Sequence, residues 1–260
     1  ENAKKLIDTG VTGIAYETVT SSDGSMPLLA PMSTIAGQLA FVVGSYHLLK
    51  HNKGKGVMIG HMDDMDPRVV TVIGAGVAGT QSILKAIDNN ALVKVVDSSQ
   101  SKLDDLKSKY GTENVEYILS SKDSIQVSVN ESDLVIGSVY VVGKEAPKVV
   151  TKDMLSSMNP GTVMVDVSID QGGCFETSKP TTHDSPTFLE NEIVHYCVTN
   201  MPGAVPLTAT EALNKVSLSY VENLANNGIQ NALDSDEHLR NGLNILDGRI
   251  VHPGVKEALE

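Results

Sequence analysis

Val69-Val-Thr-Val-Ile-Gly-Ala-Gly-Val-Ala-Gly79, a polar helical stretch, and then Val93-Lys-Val-Val-Asp97 decide the reading of this chain. A continuous apolar run is the pattern of a strand buried on both faces. It runs straight into three glycines spaced G-x-G-x-x-G, and a second apolar run ends in an acid 23 residues after the first glycine. A glycine fingerprint by itself is weak evidence. Framed by strand, helix, strand and terminal acid, it specifies a dinucleotide site. Gly74 permits the turn out of the strand, Gly76 lets a pyrophosphate approach the backbone, and Gly79 lets the helix pack on the sheet. The helix start offers N–H groups and the positive end of its dipole to phosphates. Asp97 is placed to accept hydrogen bonds from ribose hydroxyls and would repel a 2′-phosphate. Ser98, Ser99 and Gln100 follow it with no arginine, so the pattern favours NAD over NADP.

Working outward, 260 residues suffice for one large domain or two modest ones. A net charge of −12 argues against nucleic acid and anionic membranes, which call for clustered Lys and Arg. It does not argue against a dinucleotide held by backbone N–H groups. Cys174 and Cys197 are too few for a disulfide framework and lack metal-ligand spacing, so they read as buried free thiols of a reducing cytoplasm, and no metal is expected. No apolar run reaches transmembrane length, and the Glu-Asn-Ala-Lys-Lys start has no apolar signal core.

Strand and helix patterns alternate after Asp97. Helical stretches at 102–110 and before 133 separate strands at 115–119, 133–139, 162–168 and 193–198, with a short helix over 152–158. That alternation predicts an α/β fold, a doubly wound parallel (Rossmann) sheet. Upstream lie a helix over 1–9, a short strand over 14–19, a long helix over 35–49 and a loop over 57–67. From residue 208 onward only helices are expected, at 211–227 and 235–246. The division that follows is a Rossmann domain over 29–205, flanked by 1–28 and 206–260 as remnants of a second, substrate domain.

Ligands of open α/β sheets lie beyond the carboxyl ends of the strands. Three loops there carry polar groups: 137–147, 166–173 and 199–203. Asp170 follows a strand and precedes two glycines, where a carboxylate can bind an ammonium or steer protons in amine oxidation; a turn or cap role fits the spacing equally well. Asn200 and Met201 read either as ribose, amide or ring contacts or as the turn before a helix. Ser33 reads as a helix cap or a cofactor contact. The histidines lie singly, His47 on the long helix, His61 in a loop and His183 beside Asp184, and read as structural or surface residues.

These stretches resemble the bacterial alanine dehydrogenases. The resemblance rests on Ile14-Ala-Tyr-Glu-Thr-Val, Pro27-Leu-Leu-Ala-Pro-Met-Ser33, the glycine fingerprint, Asp133-Leu-Val-Ile-Gly137 and Ala146-Pro-Lys148. Asp166-Val-Ser-Ile-Asp-Gln-Gly-Gly-Cys-Phe-Glu176, Pro180-Thr-Thr-His-Asp184 and Tyr196-Cys-Val-Thr-Asn-Met-Pro-Gly-Ala-Val-Pro206 complete it. The Ile-Asp-Gln-Gly-Gly run separates this family from the related proton-pumping transhydrogenase subunits. The resemblance implies NAD-dependent, reversible oxidative deamination of L-alanine to pyruvate and ammonia, in a cytoplasmic homo-oligomer, commonly a hexamer, with NAD between two domains. It makes Asp170 the catalytic aspartate and Asp97 the ribose-binding acid. It puts Ser33, Val77, Ala78, Lys102, Ser120, Val139, Tyr140, Ile169, Val198, Asn200 and Met201 at cofactor-contact positions.

There are departures. The family places about a hundred residues ahead of Glu1, including an Arg and a Lys that hold the substrate and a His that acts as acid–base. The expectation is that this chain is the NAD-binding portion, and that alone it binds NAD but scarcely turns over alanine. Val142 stands where a Pro is usual, and Asp88-Asn-Asn90 replaces a glycine-rich turn. Two other readings fit the same residues: a non-catalytic NAD-binding paralogue or subunit, and a dehydrogenase for another 2-oxo acid.

Overall fold

The computed structural model describes every residue except Glu1, His61, residues 142–144 and Glu260. The expectations for His61 and Val142 therefore lie outside the described residues. In chain order come α1 (Asn2–Asp8), β1 (Gly13–Ile14), α2 (Ala30–His47), β2 (Val69–Ile73), α3 (Val77–Asp88), β3 (Leu92–Asp97), α4 (Gln100–Tyr110) and β4 (Val115–Leu119). They are followed by α5 (Lys122–Glu131), β5 (Leu134–Gly137), β6 (Val163–Asp166), β7 (Thr187–Glu190), β8 (Ile193–Tyr196), α6 (Pro206–Ser235), α7 (Glu237–Asn241), β9 (Leu243–Leu246), β10 (Arg249–Ile250) and α8 (Pro253–Leu259). The chain forms two compact units, one of residues 34–204 and one of residues 1–33 with 205–260.

In the larger unit the strand order is β4-β3-β2-β5-β6-β8-β7. The first six are parallel and follow the doubly wound order, with the reversal between β2 and β5. β7 adds to β8 antiparallel as an edge. The pleat divides the apolar run into two cores. Val70 and Val72 face a cluster with Ala40, Phe41 and Ile83 from α2 and α3, while Ile73 faces one with Ile125, Met154 and Phe175. Burial on both faces is why these strands read as continuous rather than alternating apolar runs.

Close approach of α2 rests on small residues. A Cβ on Gly37 would lie 2.0 Å from the Ala78 carbonyl oxygen, and the Ser82 hydroxyl donates to the Gly37 carbonyl at 2.7 Å. At the end of α3, Asn90 takes a left-handed φ of 54°. Asparagine tolerates that region, which is how Asp88-Asn-Asn90 does without the glycine-rich turn.

In the smaller unit, β1, β9 and β10 form an antiparallel sheet around a core with Ala232, Leu233 and Leu239. This corrects the expectation of helices alone after residue 208. The stretch 235–246 is a short helix, α7, followed by β9, which turns back through Asp247-Gly248 to pair with β10 on one side and pairs with the distant β1 on the other. The expected strand over 14–19 stops at Ile14, and Tyr16–Thr18 close a tight turn instead. The Thr18 hydroxyl bonds the Asn244 side-chain oxygen at 2.9 Å. Within α6, Gly228 breaks the helical path with φ 73° and ψ 165°. Among the described residues no helix is long and apolar enough to cross a membrane.

Candidate functional site

The carboxyl ends of β2, β3, β5, β6 and β8 all fall on one rim of the larger unit, because the strands are parallel. The three fingerprint glycines do different work there. Gly74, at φ 97°, would bring a Cβ 2.7 Å from the Ser138 carbonyl oxygen, and a Cβ on Gly79 would sit 1.8 Å from the Gly74 carbonyl oxygen. Both are demanded by the protein's own packing. A Cβ on Gly76 would meet nothing within 4 Å. Gly76 is the N-cap of α3, and no side chain caps that end. Thus an open, side-chain-free surface faces the positive end of a helix, which is what a pyrophosphate fits.

Asp97, 8% exposed, accepts the Ala75 N–H at 2.7 Å on one oxygen and the Ser99 N–H at 2.8 Å on the other. It therefore braces the glycine loop as well as ending β3. Each oxygen keeps a lone pair for a ribose hydroxyl. Ser138 escaped sequence reasoning: its buried hydroxyl donates to the Gly74 carbonyl at 2.7 Å and locks the loop from below. A serine directly after a strand carries no distinguishing signal in sequence.

Beyond β6, Ile169–Gln171 form one short helical turn ended by Gly172 in the left-handed region at φ 85°. Ile169 is buried and anchors the turn, while Asp170 points outward and is exposed. The Asn200 N–H donates to Asp170 Oδ2 at 3.4 Å, which joins the loops after β6 and β8. Asn200 has φ 53°, and its carbonyl contacts His183 Nε2 at 3.3 Å.

Underneath lies Asp166, fully buried. It accepts the N–H groups of Ser168, Cys174 and Phe175 at 3.0, 2.9 and 3.3 Å and the Ser178 hydroxyl. Burial raises its carboxyl above the ordinary 3.8, and the hydrogen bonds from Ser178, Phe175 and Cys174 pull back the other way. Burial, and then the charge of Asp166, push the Cys174 thiol well up and the Cys197 thiol to about 12. Both cysteines are free, buried and protonated, so neither is a nucleophile.

The remaining expected contacts of the larger unit lie on the loops and helix starts after its strands. The Ser120 N–H donates to the Asp97 carbonyl at 2.9 Å, and Lys102 is exposed in the first turn of α4. Val139 follows β5 and accepts the Ser168 hydroxyl on its carbonyl at 2.8 Å, with exposed Tyr140 next to it. Val77 and Ala78 open α3. Val198 and Met201 are 0% and 2% exposed, and their side chains belong to the core. Ser33 lies in the smaller unit, one turn inside α2, and its N–H donates to the Leu29 carbonyl at 3.1 Å. It is not the helix cap, because the helix begins at Ala30. The buried histidines are structural. His195 is held by Thr177 and the Ile193 carbonyl and stacks on Phe188, and His47, the last residue of α2, packs against Tyr196.

Residues 40–253 match the family model described as alanine dehydrogenase/PNT, C-terminal domain. The chain is 48% identical over 255 residues to an alanine dehydrogenase of Halomonas elongata, covering 98% of this chain and 68% of that protein. It is 45% identical to one of Mycolicibacterium smegmatis, with the same coverages. A solved structure titled L-alanine dehydrogenase superposes with a TM-score of 0.92 at 43% identity, over 98% of this chain and 70% of that one. A transhydrogenase from Sinorhizobium meliloti, 21% identical with a TM-score of 0.78 over 96% of this chain and 71% of that one, shares the fold.

Proposed function

The chain belongs to the alanine dehydrogenase/PNT C-terminal domain family, and from that premise we propose that it binds NAD and serves the reversible oxidative deamination of L-alanine to pyruvate and ammonia. The observation that carries the proposal is the open Gly76 surface at the uncapped start of α3, with Asp97 beside it and Asp170 on the same rim. The backbone N–H groups of Val77 and Ala78 would hold the pyrophosphate, and Asp97 the ribose hydroxyls. Ser33, Lys102, Ser120, Val139, Tyr140, Ile169, Val198, Asn200 and Met201 would complete the contacts, with Ile169, Val198 and Met201 contributing backbone. The chemistry a bound nicotinamide supplies is acceptance of the hydride from the amino acid's α-carbon. Asp170, exposed and accepting the Asn200 N–H, would take the ammonium proton before hydride transfer leaves an iminium. A water then adds to that carbon, Asp170 would pass a proton of that water to the departing nitrogen, and the carbonyl and ammonia form.

In this reading residues 29–205 form the nucleotide-binding domain and 1–28 with 206–260 belong to a substrate domain, in a cytoplasmic homo-oligomer. The test is a pair of titrations with one kinetic variant. NADH is expected to bind more tightly than NADPH. Asp170→Asn, made in the full-length protein, is expected to keep NADH affinity while turnover of pyruvate and ammonia falls about a hundredfold or more. Tighter NADPH binding, or unchanged turnover in the variant, overturns the reading.

A further inference from the structure

The turn that carries Asp170 is gripped at both ends. Beneath it, Asp166 gathers the N–H groups of Ser168, Cys174 and Phe175. From the outside, the Lys148 ammonium donates to the carbonyls of Gly172, and of Gly173 at 2.6 Å. One anion thus collects the donors of this loop and one cation collects its acceptors, on opposite poles of a single backbone turn. Gly173 fits between them because it has no side chain: at φ 79°, its Cβ would fall 2.7 Å from Asp166 Oδ2. The loop after β5 follows the same path, with Ala146 N–H on the Gln171 carbonyl at 3.0 Å and Val149 N–H on the Cys174 carbonyl at 2.8 Å.

We propose that Asp166 and Lys148 are positioning residues that fix the 168–175 backbone and thereby set where Asp170 presents its carboxylate. The inference rests on the proposed role of Asp170. The demand on residue type is strict. An amide at position 166 turns an N–H₂ toward either Ser168 or the Cys174 and Phe175 N–H groups, so a donor meets a donor in a site closed to water. A methyl-ended side chain at 148 leaves two carbonyls of a left-handed turn without their shared cation. Neither residue lies in the glycine loop, and of the proposed nucleotide contacts only the Ile169 backbone belongs to the 168–175 stretch, so affinity should fall much less than turnover. A displacement of Asp170 by about 1 Å costs turnover on the order of a hundredfold.

The experiment compares wild type with Lys148→Met, Lys148→Arg, Asp166→Asn and Asp170→Asn in the intact protein. Three quantities are read: NADH affinity by fluorescence, backbone amide hydrogen exchange, and kcat with KM for pyruvate. Expected for Lys148→Met and Asp166→Asn are a rise in NADH Kd of about tenfold at most and Cys174 and Phe175 amides exchanging about tenfold faster or more. Amides of α3 should not change, and kcat should fall with little change in KM. Lys148→Arg restores kcat in part. Lys148 is exposed, so its variants test the idea even where Asp166→Asn does not fold. If Asp170→Asn leaves kcat intact, the dehydrogenase reading fails and this inference with it. If Asp170→Asn abolishes turnover while Lys148→Met keeps kcat and amide protection, only the positioning roles are overturned.

Discussion

Alanine at position 76 and alanine at position 79 put one methyl group on the same loop, three residues apart, with opposite expected results. At Gly76 the backbone is extended, φ −74° and ψ −163°, and the methyl meets no protein atom within 4 Å. Reduced freedom of the unfolded chain favours the variant by about 0.4–1 kcal/mol, and the weaker N-cap preference of Ala offsets a similar amount. Stability should therefore stay within about 1 kcal/mol of wild type. The methyl occupies the surface assigned to the pyrophosphate, and loss of two charge-assisted N–H bonds at roughly 1.5 kcal/mol each removes about 3 kcal/mol of binding, or two orders of magnitude in Kd. At Gly79 the methyl would lie 1.8 Å from the Gly74 carbonyl oxygen and 2.6 Å from Ser138 Oγ, so the loop itself has to move. Destabilisation of at least about 1–3 kcal/mol is expected. Urea unfolding followed by NADH titration by fluorescence reads both quantities. A stable Gly76→Ala protein that binds NADH like wild type would refute the placement of the diphosphate over this residue.

Further outcomes follow from the same structure. Gly37→Ala drives a methyl to 2.0 Å from the Ala78 carbonyl oxygen; loss of stability by about 2 kcal/mol or more in urea unfolding is expected, and a neutral result would mean α2 does not seat on α3 as described. Burial depresses the imidazoles of His47 and His195 below the ordinary 6.5. The folded state then binds fewer protons than the unfolded one in the window below 6.5, so their contribution is full above that value and is lost as pH falls through the depressed pKa values. Asp166 has the opposite sign. Its raised carboxyl favours the folded state at low pH, and that contribution fades as pH rises from 3.8 through the raised value. Unfolding free energies measured at about pH 7.5 and about pH 5.5 should drop toward acid, and His47→Gln/His195→Gln should flatten that slope; an unchanged slope would show that these rings do not carry it.

The sheet was legible because its order is written locally. Val69 to Gly79 and Val93 to Asp97 state buried strand, glycine turn and terminal acid within a few dozen residues. The chemical rim was legible for a related reason, since parallel strands deliver every loop after a strand to one edge. What escaped depends on distant partners. β9 is completed on one side by β1 from the far end of the sequence, and Thr187–Glu190 is a strand because β8 offers an open edge. Ser138, Asp166 and Lys148 look like ordinary polar residues until folding brings carbonyls and amides to them. Met201 shows the converse limit. Its position on the rim was readable, but its side chain turns into the core, because a residue's direction is settled by packing and not by its place in a motif.

Asp97 carries a lesson for anyone who would retune the nucleotide preference of this scaffold. Its two oxygens already serve the backbone at Ala75 and Ser99. Exchanging the acid for a small neutral residue to admit an extra phosphate would withdraw a strut from the glycine bend at the same stroke. A redesign that adds a cation nearby and also supplies a new acceptor for the Ala75 amide is the one this architecture can accommodate.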